Sequence, residues 1–236
     1  MNISLPPNPI PSLIHQDNDL LVVNKPAGLL SIQDGYHPEL PHLRSVLEPI
    51  YGSLWIVHRL DRETSGVVVL AKNAISHREL NALFRNRKIN KVYHGLVTPS
   101  PTFNTKTIDL PLKSNADREH RTRVDNRNGK AAQSIIQVVK RFDLGALIEI
   151  QILTGITHQI RAHLRVEELA LFGESLYNAG LPPQPLTASR MMLHARQIGF
   201  PHPSSHEERQ FTANYPDDYR AFYTKLRFTK ALDEVI

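Results

Sequence analysis

The sequence contains no cysteine. This absence excludes disulfide bonds, thiolate zinc sites and cysteine nucleophiles. No apolar run reaches the roughly 18 residues that a membrane-spanning helix needs. Residues 1–13 include no lysine or arginine, so they lack the charged start of a secretory signal and the arginines of a transit peptide. We therefore expect a cytoplasmic protein that has no membrane partner.

Several catalytic motifs are also absent. The sequence has no Gly-x-Ser-x-Gly nucleophile elbow, no Gly-x-x-x-x-Gly-Lys-Ser/Thr phosphate loop and no Gly-x-Gly-x-x-Gly turn. His158 and His163 are five positions apart with no acidic residue between them, whereas paired metal ligands on one helical face are spaced at i and i+4. We therefore expect no metal site in this segment.

The composition is that of an ordinary globular protein, with 236 residues, 41% hydrophobic and 22% charged. This length is sufficient to bury a large core, and no internal repeat or change of composition marks a second domain. The formal net charge is +5 and the isoelectric point is about 9.5. A moderately basic protein suits a polyanionic partner such as nucleic acid without requiring one.

Hydrophobic periodicity predicts a mixed α/β structure with antiparallel strands rather than repeated βαβ units. The predicted strands are Leu20–Asn24, Lys91–Val97, Gln133–Phe142, Leu144–Leu153 and Met191–Ala195. The predicted helices lie between Pro41 and Gly52, at Ala74–Arg87, after a cap at Thr157, and at Asp217–Phe228. Basic residues concentrate at Arg78–Lys91 and in a loop or hairpin at Lys113–Lys130, where a solvated surface and a nucleic-acid backbone track are alternative interpretations.

The polar run His58–Gly66 lies between two apolar stretches, Leu54–Val57 and Val67–Ala71. An ionised carboxylate in such a position needs nearby cations or hydrogen-bond donors. The adjacent candidates are Arg59, Arg62, Thr64 and Ser65. We therefore hypothesise that Asp61 is a nucleophile or general base in a strand-loop-strand element.

Two alternative functions would use the same residues. A retaining glycosidase has a nucleophilic carboxylate and a second carboxyl group about 5 Å away, for which Glu63 is the nearby candidate. An RNA-binding module would use the basic surface and perform no chemistry.

The run His58–Gly66, followed by Val67–Ala71, resembles the signature of the RluA family of RNA pseudouridine synthases. Four further segments match the family in order: Asn24–Gly28, Lys91–Tyr93, Gly155–Leu164 and Leu193–Ala195. The chain departs from the family pattern at Gly173-Glu174, where Gly-Asp is usual. The resemblance extends over most of the chain.

The resemblance implies that Asp61 attacks the target uridine, at the ribose C1′ or on the base, and that the uracil rejoins the sugar through its C5. It implies that Arg161 pairs with this carboxylate, Tyr93 stacks on the target base, and Arg59 replaces the flipped nucleotide in the RNA stack. No cofactor or metal is implied. The other residues expected to bind substrate are His58, Thr64, Lys25 and Leu193.

The resemblance also implies a pseudouridine synthase catalytic fold, an α/β (α+β) domain with a mixed, mainly antiparallel sheet, flanking helices and a central cleft. We expect this domain at 13–228, with an N-terminal extension at 1–12, a C-terminal tail at 229–236 and no S4 domain. The expected partner is structured RNA, such as a stem-loop of ribosomal or transfer RNA. The expected oligomeric state is a monomer.

Overall fold

The computed structural model describes residues 10–230, which contain thirteen strands and four helices. The strands are β1 (Ser12–Gln16), β2 (Leu20–Lys25), β3 (Trp55–Ile56), β4 (Ser65–Ala71), β5 (Asn90–Thr98), β6 (Thr105–Asp109), β7 (Leu112–Lys113), β8 (Arg123–Val124), β9 (Gln133–Phe142), β10 (Gly145–Ile152), β11 (Ala170–Leu171), β12 (Leu193–Pro201) and β13 (Glu208–Thr212). The helices are α1 (Leu43–Tyr51), α2 (Ala74–Arg85), α3 (Gln159–Val166) and α4 (Asp217–Phe228).

The predicted elements are confirmed with small changes at their ends. Helix α4 has the predicted bounds, and the predicted strand at Met191 begins two residues later and continues to Pro201. The cap predicted at Thr157 was wrong. Helix α3 is preceded by His158, whose φ of 55° is left-handed and whose side chain makes no capping hydrogen bond. The side chain of Gln159 instead accepts a hydrogen bond from the Ile156 amide.

Contacts within the chain define two compact units. The first contains the residues up to Lys91 together with Ala195–Asn214. Its strands follow the order β1-β2-β4-β12, with β3 beside β4 and β13 beside β12. All seven residues of β4 are buried, which explains why this strand is a nearly continuous run of valine and other apolar residues.

Gly66 is required by the packing of β4. Its φ is +126°, and a Cβ atom at this position would lie 2.2 Å from the carbonyl oxygen of Ala195. Any larger residue would therefore both strain the backbone and displace β12. The glycine in the polar run is explained by this close approach of two strands.

The second unit contains Val92–His194 together with the residues from Tyr215 on. Its strands follow the order β5-β10-β9-β6, with β11 beside β5. These neighbours are antiparallel, so the predicted mixed α/β structure with a mainly antiparallel sheet is confirmed. Helix α4 packs Tyr219, Phe222 and Leu226 into a buried cluster with Phe172 and Met192.

The basic segment Lys113–Lys130 is a hairpin rather than an unstructured loop. Strands β7 and β8 pair within it. The carboxylate of Asp117 accepts hydrogen bonds from the amides of Glu119 and Arg121. Thr122 is buried, with 1% of its surface exposed. These contacts order the segment within the protein itself.

The predicted extension at 1–12 and tail at 229–236 lie mostly outside the described residues. The single catalytic domain at 13–228 and the lack of an S4 domain stay predictions. Within residues 10–230, no helix combines the length and apolar character that crossing a bilayer needs.

Candidate active site

The loop that carries Asp61 connects β3 to β4, and hydrogen bonds fix its backbone. The Ser31 hydroxyl donates to the Leu60 carbonyl over 2.7 Å and accepts from the Leu60 amide over 3.0 Å. The Thr64 amide donates to the Asp61 carbonyl over 3.1 Å. Leu60 and Thr64 are buried, whereas Asp61 is half-buried. The Asp61 carboxylate is therefore carried by a backbone that is fixed on both sides.

The turn that follows β2 anchors the same loop. Lys25 is fully buried, and its ammonium donates to the carbonyl oxygens of Pro26, Leu29 and Arg62 at 3.0, 2.7 and 3.2 Å. The Gly28 amide also donates to the Arg62 carbonyl, over 2.7 Å. A buried ammonium needs such partners because an isolated buried charge is costly. These contacts are structural, and substrate binding by Lys25 stays a prediction.

His58 connects the loop to β4. Its Nε2 accepts a hydrogen bond from the Val69 amide over 2.9 Å, and its ring stacks on Phe84 at 4.9 Å. Burial, together with the positive charge of Lys91, lowers the pKa of His58 to about 3. The ring is therefore neutral at neutral pH, with its proton on Nδ1.

The other predicted site residues differ in exposure. Arg59 is exposed. Thr64 and Leu193 are buried, at 2% and 3% exposure. Tyr93 lies on β5 opposite Ile150 of β10 and is 9% exposed.

Gln159 fixes the start of helix α3. Its Oε1 accepts from the Thr154 hydroxyl over 2.7 Å and from the Ile156 amide over 3.1 Å. Its Nε2 donates to the Gln133 carbonyl over 2.9 Å and to the Ser134 hydroxyl over 3.0 Å. The amide thus attaches α3 to β9, and this attachment fixes the helix that carries Arg161.

Arg161 is almost completely buried and forms a bidentate ion pair with Glu174. Its Nε donates to Glu174 Oε2 over 2.7 Å, and its Nη2 donates to Glu174 Oε1 over 2.6 Å. The guanidinium carbon lies 4.9 Å from the centre of the Tyr177 ring. Two parallel hydrogen bonds and a ring contact fix both the position and the plane of the guanidinium.

Glu174 is ionised in this environment. Burial by itself raises the pKa of its carboxyl group, but the hydrogen bonds and charge of Arg161 lower it. The amides of Leu176 and Tyr177 also donate to Glu174 Oε1, at 2.7 and 3.2 Å. The lowering effects are stronger, so the pKa of Glu174 is below its ordinary value.

Sequence reasoning did not identify the roles of Glu174, Gln159 and Tyr177. Glu174 was noticed only as a departure from the family pattern. The carboxylate expected beside Arg161 was that of Asp61, and a separation of 13 residues gives no sign that Glu174 forms an ion pair with the same arginine.

One group of side chains in residues 10–230 has the donor atoms of a metal site: Asp17, Asp19 and His202, whose ligand atoms lie within 4.8 Å of one another. Asp17 Oδ2 is hydrogen-bonded to His15 at 2.7 Å and to His202 at 3.2 Å. Asp19 accepts from the Ser204 hydroxyl over 2.6 Å. These side chains form a hydrogen-bonded network between the turn after β1 and residues 202–204.

The sequence matches the family of RNA pseudouridylate synthases over residues 19–165. The match covers more than half of the chain and includes Asp61, Tyr93 and Arg161. The protein is therefore an RNA pseudouridine synthase, an isomerase that acts on RNA.

Within this class, the chain belongs to the RluA family. It is 32% identical to the dual-specificity RNA pseudouridine synthase RluA of Escherichia coli (strain K12) over 219 residues, 92% of this chain and 98% of that protein. It is also 32% identical to the ribosomal large subunit pseudouridine synthase D of Zymomonas mobilis over 241 residues, 93% of this chain and 74% of that protein.

Solved structures confirm the fold. The human RNA pseudouridylate synthase domain containing 4 has a TM-score of 0.76 and 26% identity, covering 93% of this chain and 95% of that chain. The human RNA pseudouridylate synthase domain containing 1 has a TM-score of 0.72 and 21% identity, with coverage of 96% and 99%. The family match and the similar proteins confirm the resemblance described in the sequence analysis.

Proposed function

We propose that this enzyme isomerises specific uridines of ribosomal RNA, transfer RNA or both, with Asp61 as its nucleophile. The observation that carries the proposal is the construction of the Asp61 loop. A half-buried carboxylate projects from a backbone that Ser31 and Lys25 fix through hydrogen bonds. The similar proteins include a dual-specificity synthase and a ribosomal large subunit synthase, which supports the two classes of RNA.

In the proposed reaction, Asp61 forms a covalent bond either to the ribose C1′, releasing uracil, or to the base itself. By either route the N1–C1′ bond breaks, the uracil turns, and a bond forms between its C5 and C1′. The bond to Asp61 breaks, C5 loses its proton and N1 gains one, so the product has the same atoms as the substrate. Isomerisation consumes no oxidant, reductant or group donor, and we propose no cofactor or metal.

Three further residues complete the proposal. Arg161 is the charged partner of the Asp61 carboxylate, and Glu174 supports this role because it fixes the guanidinium plane. Tyr93 stacks on the target base and assists removal of the proton from C5. Arg59, which is exposed, enters the RNA stack when the target nucleotide leaves it.

The remaining predicted residues take supporting roles. We propose that Lys25 and His58 position the Asp61 loop, because their hydrogen bonds join it to neighbouring backbone. Thr64 and Leu193 border the substrate site. The monomeric state and cytoplasmic location stay predictions.

The test is the release of tritium from RNA that contains [5-³H]uridine. The variant Asp61→Asn is expected to lose at least about 10³-fold in rate while it retains RNA binding. The matched control is Glu63→Gln, which makes the same change of charge at an exposed neighbour. Full activity of Asp61→Asn would contradict the proposal. Loss of activity only in Glu63→Gln, with free sugar as product, would indicate a glycosidase.

The RNA target requires a second experiment. Carbodiimide treatment followed by primer extension maps pseudouridines in wild-type and deletion cells. The proposal expects a pseudouridine of ribosomal or transfer RNA to disappear in the deletion cells and to remain absent when only Asp61→Asn is supplied. If Asp61→Asn restores every phenotype of the deletion, the protein acts as an RNA-binding module.

A further inference from the structure

A cavity of about 380 Å³ lies in the second unit, beside the β7–β8 hairpin. Its charged lining is formed by Arg121, Arg123 and Arg165, and its apolar lining includes Val124 and Leu176. Among the described residues, no acidic side chain lines it. Pockets that bind small organic molecules are typically about 300–1,000 Å³, so this space is large enough for more than a single phosphate.

The three arginines differ in how far their charge is compensated. Arg121 and Arg123 share the carboxylate of Asp117, at 2.7 and 2.8 Å. Arg165 donates to the carbonyl oxygen of Ala179 over 3.0 Å. In the part of the chain that the structure describes, no carboxylate forms an ion pair with Arg165. An anion in the cavity is therefore attracted most strongly by Arg165 and next by Arg123, which is half exposed at 57% of its side chain.

The wall of the cavity is fixed before any ligand binds. The buried amide of Thr122 donates to the Tyr177 hydroxyl over 2.7 Å, and the Thr122 hydroxyl donates to the Thr157 carbonyl over 2.7 Å. The ring of Tyr177 also contacts the guanidinium of Arg161. Because the wall is preorganised, a ligand does not lose affinity by ordering the hairpin.

We propose that this cavity binds one unpaired nucleotide of the substrate RNA. Its phosphate contacts Arg165 and Arg123, since a planar guanidinium group can donate two parallel hydrogen bonds to phosphate oxygens. Its base packs against Val124 and Leu176, since this contact removes apolar surface of both the base and the side chains from water. This inference rests on the proposed function, because the nucleotide belongs to the RNA that the enzyme modifies. Tyr177 contacts both the cavity and Arg161, which connects recognition of that nucleotide to a proposed catalytic residue.

The test compares Arg165→Gln and Arg123→Gln with Arg227→Gln. Arg227 is an exposed arginine of α4 outside the cavity, so the control removes the same charge from the same unit. Fluorescence anisotropy measures the affinity for the target stem-loop at several salt concentrations. Arg165→Gln is expected to weaken binding about tenfold and to reduce the salt slope by about 1, as the loss of one phosphate contact does. Arg123→Gln is expected to weaken binding less, and Arg227→Gln to leave it unchanged.

A second readout identifies the ligand. Uridine 5′-monophosphate is expected to shift the NMR signals of Val124 and Leu176 methyl groups in wild-type protein and not in Arg165→Gln. Equal affinities of the three variants for RNA would overturn the inference. So would an acidic peptide that produces the same methyl shifts and displaces RNA from wild type but not from Arg165→Gln. Arg123→Gln alters an exposed side chain, so its result stands even if Arg165→Gln is unstable.

RNA binding by the cavity does not depend on isomerisation, so failure of the cavity inference can be distinguished from failure of the proposed function. Arg165-dependent binding of RNA without any pseudouridine product would overturn the proposed function alone. Normal isomerisation with Arg165-independent binding would overturn the cavity inference alone.

Discussion

Glu174 binds the guanidinium of Arg161 through two hydrogen bonds, at 2.7 and 2.6 Å, and both side chains are at most 7% exposed. The resemblance described in the sequence analysis leads to an expectation of aspartate at this position. The structure shows that the longer glutamate reaches Arg161 while it also accepts the amides of Leu176 and Tyr177. The departure from the family pattern therefore retains a carboxylate at the position that fixes the proposed catalytic arginine.

The variant Glu174→Gln is expected to lower the free energy of unfolding by about 3 kcal/mol, because it removes the negative charge from a buried, bidentate ion pair with Arg161. It is also expected to slow the single-turnover rate at saturating RNA. Urea unfolding and rapid-quench kinetics measure the two effects. The control is Glu168→Gln, which changes an exposed glutamate two residues after α3, and equal stability of the two variants would contradict the prediction.

The effect of Glu174→Gln is expected to depend on pH. The pKa of Glu174 is lowered in the folded protein from the ordinary value of 4.5, so its contribution to stability is complete above about pH 4.5. That contribution is lost as the pH falls below this value through the lower pKa of the folded state. Urea unfolding from pH 7 to pH 3 should show the difference between wild type and variant decreasing at acid pH. A constant difference would show that the charge of Glu174 is not responsible.

His58 is expected to make the protein less stable as the pH falls below 6.5. Its pKa in the folded protein is about 3, against 6.5 for an ordinary histidine. Between these values the unfolded chain binds a proton that the folded protein does not, which lowers the free energy of unfolding by at most about 1.4 kcal/mol per pH unit. The variant His58→Gln should therefore show a shallower pH dependence of urea unfolding between pH 6.5 and 5. An unchanged pH dependence in the variant would show that the lowered pKa of His58 is not responsible.

Lys25→Met is expected to reduce both stability and activity. The change removes the donor of three hydrogen bonds to carbonyl oxygens, of which the bond to Leu29 is buried, at a cost of about 1–3 kcal/mol. It also releases the Arg62 carbonyl next to Asp61. Thermal unfolding and tritium release measure these effects, with Lys225→Met on the exposed surface of α4 as the control. If Lys25→Met keeps wild-type stability but loses RNA affinity, Lys25 binds substrate instead.

Gly66→Ala is expected to prevent stable folding, or to cost about 3 kcal/mol or more. The added methyl group would overlap the Ala195 carbonyl, and the φ of +126° is unfavourable for alanine. The control is Gly35→Ala, because no heavy atom lies within 4 Å of a Cβ at Gly35. Chemical denaturation followed by circular dichroism compares the two, and similar stabilities would show that β4 and β12 adjust to the methyl group.

Local sequence pattern predicted most of the secondary structure. The apolar periodicity of α4 and the two strands that flank Asp143 depends only on residues close in the chain. The prediction failed at the start of α3, where a side-chain cap at Thr157 was expected. There, Gln159 reaches both the preceding Ile156 amide and the Gln133 carbonyl of β9. A contact with a distant strand decided the local geometry.

The sequence by itself determined the family, through its resemblance to known motifs, and the antiparallel character of the strands, because motifs and alternating side chains are local patterns. It also supplied Asp61 as the proposed nucleophile, since this residue lies in a polar run between apolar stretches. Only the tertiary structure decided the partners of these residues. It paired Arg161 with Glu174, surrounded the Lys25 ammonium with three carbonyl oxygens, and placed the Ala195 backbone against Gly66. The physical reason is that buried charges and buried backbone atoms take partners from whichever residues folding brings near. Those neighbours depend on the path of the whole chain.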